Sequence, residues 1–129
     1  MKTSEHKEQC ALMQWWALAC KGFGLPEALL FAIPNGGHRH IAVAAKMKAE
    51  GVRAGVPDLF LAVPKGAYTG LFIELKKVKG GVVSDSQREA LMLLSARGYA
   101  VAVCRGWRAA SRYLEQYLNE GVLSPTEYV

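Results

Sequence analysis

The run Leu71-Phe72-Ile73-Glu74-Leu75-Lys76 constrains this chain more than any other stretch. A strand buried on both faces reads as near-continuous apolar sequence, and here two charges interrupt it. Side chains alternate along a strand, so Glu74 and Lys76 share one face, roughly 6.6 Å apart along the chain. Two readings stand. One is a cross-strand ion pair on a solvated face, worth ~1 kcal/mol or less. The other is a functional site set into a buried sheet.

The neighbouring patterns supply the rest of a sheet. Asp58–Val63 and Gly70–Lys77 read as strands, joined through Pro64-Lys65-Gly66-Ala67-Tyr68-Thr69 as an antiparallel hairpin. Ser84 or Ser86 opens a helix that runs to Arg97 and stops at Gly98. Tyr99–Cys104 is another strand, and Gly106–Asn119 a final amphipathic helix. Upstream, Leu12, Trp15, Trp16 and Ala19 recur at helical spacing between Ser4 and Cys20, with Ser4 as the expected N-cap. Leu29–Ile33 is a short buried strand closed by Pro34-Asn35-Gly36-Gly37. His40–Glu50 is an Ala-rich helix ended by Gly51. The order is αβαββαβα. A hairpin followed by a crossover gives a mixed sheet flanked by helices on both faces, an α/β domain. Trp15, Trp16, Trp107, Tyr113 and Tyr117 fall at helical spacings and read as core or interface rather than base-stacking platforms.

With 129 residues, 51% of them apolar, the chain fits one domain, its core about 4–120 and its tail 121–129. No apolar run approaches the ~18–20 residues of a membrane span. The opening MKTSEHKEQC has no apolar signal core, so a cytoplasmic location is expected. Cys10, Cys20 and Cys104 are too far apart for zinc-type pairs and are expected to be reduced core thiols. The net charge of +5 is unevenly spread. Seven basic residues stand against three acidic ones between Lys46 and Lys79, while one Arg stands against three Glu from Ser111 onward. A basic middle with an acidic tail suits one face meeting a polyanion.

The hairpin strand opposite Glu74 begins with Asp58, so the two carboxylates can lie side by side. A divalent cation offsets their repulsion, and hard oxygen donors suit Mg²⁺ or Mn²⁺. Such an ion polarises a phosphoryl oxygen, while Lys76 holds a water or steadies developing charge. On one side, the loop Pro34–His40 brings Asn35, two glycines, His38, Arg39 and His40, where Arg39 with either His can bind phosphate. His38-x-His40 has no third metal ligand nearby. On the other, Lys77 and Lys79 continue the strand and can hold a phosphate backbone.

Pro57-Asp58 followed by Glu74-Leu75-Lys76 on the next strand resembles the PD-(D/E)XK nuclease signature. More closely, the chain resembles a stand-alone VRR-NUC (virus-type replication-repair nuclease) domain of phage or prophage type. The stretches that carry this are Ser4-Glu5-His6…Gln9, Phe31-Ala32-Ile33-Pro34-Asn35-Gly36-Gly37, Lys48-Ala49-Glu50-Gly51-Val52…Gly55-Val56-Pro57-Asp58, Phe72-Ile73-Glu74-Leu75-Lys76 and Ser84…Gln87. The resemblance implies metal-dependent phosphodiester hydrolysis on a restriction-endonuclease-like fold. Asp58, Glu74 and the main-chain carbonyl of Leu75 would be Mg²⁺ or Mn²⁺ ligands, and Lys76 the catalytic lysine. Glu5 matches an acidic residue such nucleases place on the first helix; Glu8, one turn on, remains an alternative. Gln87 matches a glutamine on the helix after the catalytic strand, and Ser84-x-x-Gln87 is equally a capping box. Where a related branch adds a tyrosine one turn later, Leu91 stands here. Relatives of this type imply a homodimer acting on branched or duplex DNA, four-way junctions included, in a bacterial host cell with no organic cofactor and no membrane. A non-catalytic DNA-binding subunit and an RNA-directed nuclease are the rival readings.

Overall fold

A computed structural model describes residues 2–34, 41–121 and 125–126. The elements are α1 (Lys2–Ala19), β1 (Leu30–Ala32), α2 (Ile41–Ala49), β2 (Leu59–Leu61), β3 (Leu71–Lys76), α3 (Asp85–Ser95), β4 (Ala100–Arg105) and α4 (Trp107–Glu120), with two short 3-10 turns between α1 and β1. The expected αβαββαβα order is therefore the observed one. The strands form a single mixed sheet in the order β1-β2-β3-β4. β1, β2 and β3 pair antiparallel, and β4 joins β3 in parallel after the α3 crossover.

Alternation along β3 and β4 divides the core. Leu71, Ile73 and Leu75 of β3, with Ala100, Ala102 and Cys104 of β4, face Leu12 and Trp16 of α1 and Leu114 and Tyr117 of α4. Val101 and Val103 face the other way, onto Leu91 of α3, with Phe72 packed alongside. Glu74 and Lys76 share the Phe72 side of β3, which turns them toward α3. Two polar groups in the larger core are partnered: the Trp16 indole donates to the Glu27 carbonyl at 2.8 Å, and the Tyr117 hydroxyl to that of Val63 at 2.6 Å. Trp16 and Tyr117 are fully buried, as core residues should be.

Four local expectations need correction. α1 begins at Lys2, so Ser4 lies within the helix rather than capping it; nothing before Ser4 breaks the helix. β1, β2 and β3 are trimmed by one or two residues at each end, because ladder bonding stops short of the sequence pattern, whereas β4 starts one residue later than expected and runs on to Arg105. α3 ends at Ser95, and Gly98 closes the following turn at φ 93°. Cys20 and Cys104 are buried free thiols, but Cys10 is exposed on α1, its sulfur 3.5 Å from His6 Nε2. Among the described residues, no helix is long and apolar enough to cross a membrane.

Candidate active site

β2 pairs with β3 through Leu59 opposite Ile73, so the next step outward sets Asp58 opposite Glu74. The chain reaches that point through Gly55, at φ 85°, where a Cβ would collide with the Ser86 carbonyl. Only glycine lets this loop press onto the start of α3 and fix Pro57-Asp58 against the sheet. Asp58 is then held twice. Its Oδ2 accepts from the Leu75 amide at 2.7 Å, and its carbonyl accepts from the Ile33 amide at 2.8 Å.

Glu74 is 3% exposed and Lys76 7%, which removes the solvated ion-pair reading. Gln87 on α3 joins them. Its Nε2 donates to Glu74 Oε2 at 3.0 Å, and its Oε1 accepts from Lys76 Nζ at 2.9 Å. Lys76 Nζ lies 3.6 Å from the same Glu74 oxygen. The Ser84 amide also donates to Gln87 Oε1 at 2.9 Å, while the Gln87 amide donates to the Ser84 hydroxyl at 3.2 Å. One glutamine thus closes a capping box and orients a carboxylate and an ammonium.

Burial and the facing Asp58 charge push the Glu74 carboxyl up to about 8, against an opposing pull from Lys76. Asp58 is raised as well, chiefly by burial, with the Leu75 amide working the other way. Glu5 adds repulsion to both. Left alone, the pair keeps a proton into the neutral range.

Glu5 and Glu8 part company here. A Cβ added at Gly81 would meet Glu5 Oε2 at 3.7 Å and the Lys76 side chain at 4.0 Å, and the Glu5 charge acts on both carboxylates, so Glu5 borders them. Glu8 Oε1 instead accepts from the Trp107 amide at 2.7 Å, capping α4 where its N-cap, Gly106, has no side chain to offer. Lys77 is half-buried and Lys79 exposed, just beyond Lys76. Asn35, His38, Arg39 and His40 lie outside the described residues. Arg105, which ends β4 beside Lys76, was not singled out by sequence reasoning. An arginine closing an otherwise apolar strand was the available signal.

A buried and a half-buried carboxylate opposed across a hairpin, with a lysine two residues on, give the chain a definite comparison. The model of the VRR-NUC domain matches residues 1–108, which span Glu5, Asp58, Glu74, Lys76, Gln87 and Arg105. The chain belongs to the VRR-NUC family. A solved structure described as a VRR_NUC domain protein is 31% identical, with a TM-score of 0.79 over 98% of this chain and 94% of that one. No curated protein matches the chain. As a VRR-NUC domain it has a nuclease fold, and the family implies a hydrolase acting on DNA. Among its described residues no cluster of three or more His, Cys, Asp or Glu side chains is gathered to hold a metal. Among the described residues, the carboxylates that face each other here are those of Asp58 and Glu74. That donor set suits Mg²⁺, which needs only one or two carboxylates and keeps several waters.

Proposed function

We propose that this VRR-NUC domain is a Mg²⁺- or Mn²⁺-dependent DNA endonuclease, selective for branched DNA such as four-way junctions. The observation that carries this reading is the facing pair of half-buried Asp58 and buried Glu74, with Lys76 and Gln87 bonded onto Glu74. Two carboxylates out of water are costly to ionise together, and a hard divalent cation removes that cost. Asp58 and Glu74 would hold the ion, with the Leu75 carbonyl and water completing its shell. Bound there, it would polarise a phosphoryl oxygen and lower the pKa of an attacking water.

The remaining roles belong to the chain itself. Lys76, aimed by Gln87 Oε1, holds the attacking water or steadies charge growing on the phosphate. Gln87 fixes the Glu74 carboxylate through its amide nitrogen, and Glu5 supports the site from α1. Lys77 and Lys79, with Asn35, His38 and Arg39, hold the DNA backbone. One small domain carries one such site, so symmetric incision of two strands asks for a homodimer. The whole chain serves as one domain in this reading, working in the cytoplasm of a bacterial host.

Matched linear, flap and four-way-junction substrates, incubated with Mg²⁺, Mn²⁺ or EDTA, test the activity. Four-way junctions should be cut well ahead of linear duplex, and EDTA should stop cleavage. Sedimentation should give twice the monomer mass. Cleavage indifferent to EDTA would defeat the metal assignment. Intact DNA in Mn²⁺ with firm binding would favour a binding subunit, and preferential cutting of matched RNA the other rival.

A further inference from the structure

We propose, on the nuclease reading, that Arg105 is a positioning residue that clamps the loop from Lys77 to Gly81 and so presents Lys77 and Lys79 to the DNA backbone. Its guanidinium reaches three main-chain oxygens of that loop. Nη1 donates to the Gly80 carbonyl at 2.6 Å and, more weakly, to that of Lys77 at 3.5 Å. Nη2 donates to the Gly81 carbonyl at 3.0 Å. A planar fork of fixed donors can serve several carbonyls at once, which an ammonium cannot do with the same geometry. The shortest of these bonds is charge-assisted, the stronger class.

The loop needs such a hold. Gly80 and Gly81 both sit at positive φ, 76° and 64°, so the chain turns sharply through the two residues with most freedom to lose. Apolar anchoring is thin, since Val78 and Val82 on either side are both exposed. Yet the loop borders the site: a Cβ added at Gly81 would meet the side chains of Glu5, Lys77 and Lys76 within 4.0 Å. Register explains how Arg105 comes to be there. It pairs with Lys76 across the parallel β3–β4 ladder, one strand away from the lysine that leads into the loop. The bonds also turn three carbonyl oxygens toward a cation on the protein. Released, those oxygens are free to face phosphate, and both lysines must be ordered again on binding.

The test is a cycle of Arg105→Gln, the Lys77→Ala/Lys79→Ala pair and the triple variant, in the full chain. Affinity for a four-way junction is measured in Ca²⁺ across a salt series, with cleavage in Mg²⁺ alongside. Arg105→Gln should weaken binding about tenfold. It should flatten the salt slope nearly as much as the lysine pair, by about two, although it removes one charge. KM should rise more than kcat falls, Arg105→Lys should not restore affinity, and the triple variant should match the lysine pair. Losses that add in the triple variant would overturn the clamp and make Arg105 a direct phosphate contact. A lowered melting temperature and metal affinity with an intact salt slope would make it a framework residue only. Wild-type protein with no salt-dependent DNA binding would sink the nuclease reading and the clamp together.

Discussion

The two ends of the β2–β3 hairpin are built from opposite chemistry, although β3 is buried at both. At the loop end, Leu61 faces Leu71, both inaccessible to water, and Ile73 extends the same apolar surface. At the open end, Asp58 faces Glu74, and Lys76 follows, the last two scarcely more exposed. Burying a leucine or isoleucine stabilises the fold by about 1.5–3 kcal/mol. Burying a carboxylate does the reverse unless partners restore what water supplied. Here the partners are the Leu75 amide, the Gln87 carboxamide and the Lys76 ammonium. Even so, the Glu74 carboxyl remains pushed up to about 8. One end holds the fold together, and the other keeps a tension that a cation would relieve.

The comparison is tested most severely at the open end. Asp58→Asn or Glu74→Gln should abolish cleavage while leaving the metal-free melting temperature unchanged or higher, because each replaces a carboxyl whose ionisation is costly at this site. Lys76→Ala should lower the rate by orders of magnitude with metal affinity retained, as single-turnover kinetics and calorimetry would separate. Unaltered turnover in any of the three would break the site assignment.

Ile73→Ala, one residue before Glu74 and on the other face, should do the opposite. It opens a cavity in the larger core and should cost about 2–5 kcal/mol in denaturant unfolding. Activity per folded molecule should survive. If Ile73→Ala silenced the enzyme without unfolding it, the division between the two ends would not hold.

What the sequence made legible follows the range of each interaction. The hairpin was readable because turn residues and alternation are local, and Glu74 with Lys76 stood out against an apolar run. Gln87 was readable twice over, as a cap and as a site residue, and its side chain makes both sets of bonds. The choice between Glu5 and Glu8 was not readable. Both occupy nearly the same helical face, and what sets Glu8 apart is its bond to the start of α4 at Trp107, far along the chain. Arg105 escaped for a similar reason, since its partners are set by parallel register rather than by spacing. Cys10 was expected in the core by residue type, yet the helix turns it outward.

The tension at the open end should also appear as a pH effect. Glu74 rises from an ordinary 4.5 to about 8, so between those values the folded chain holds a proton the unfolded chain has lost. Stability of the metal-free protein should therefore fall as pH rises through that window, and Asp58, raised too, acts in the same direction. Mn²⁺ should displace the proton and reverse the trend, releasing about one proton per ion near neutral pH. Melting curves of wild type and Glu74→Gln in EDTA isolate the contribution. Equal pH slopes in the two proteins would show that the pair carries no such tension.

The smallest expected effect separates the two duties of Gln87. Ser84→Ala removes the hydroxyl that accepts from the Gln87 amide but leaves the Ser84 main-chain N–H that bonds to Gln87 Oε1. It should cost about 1 kcal/mol of stability, the usual loss for an N-cap. Cleavage should change little, because Gln87 still reaches Glu74 and Lys76. Gln87→Ala loses the return half of the capping box and both site bonds. It should slow cleavage far more than its stability loss accounts for, with kcat affected more than KM. Thermal melts and steady-state kinetics on the two variants give the comparison directly. If Ser84→Ala slowed cleavage as much as Gln87→Ala, the cap would be what aims the glutamine, and the open end of the hairpin would depend on α3 for its geometry rather than on one side chain.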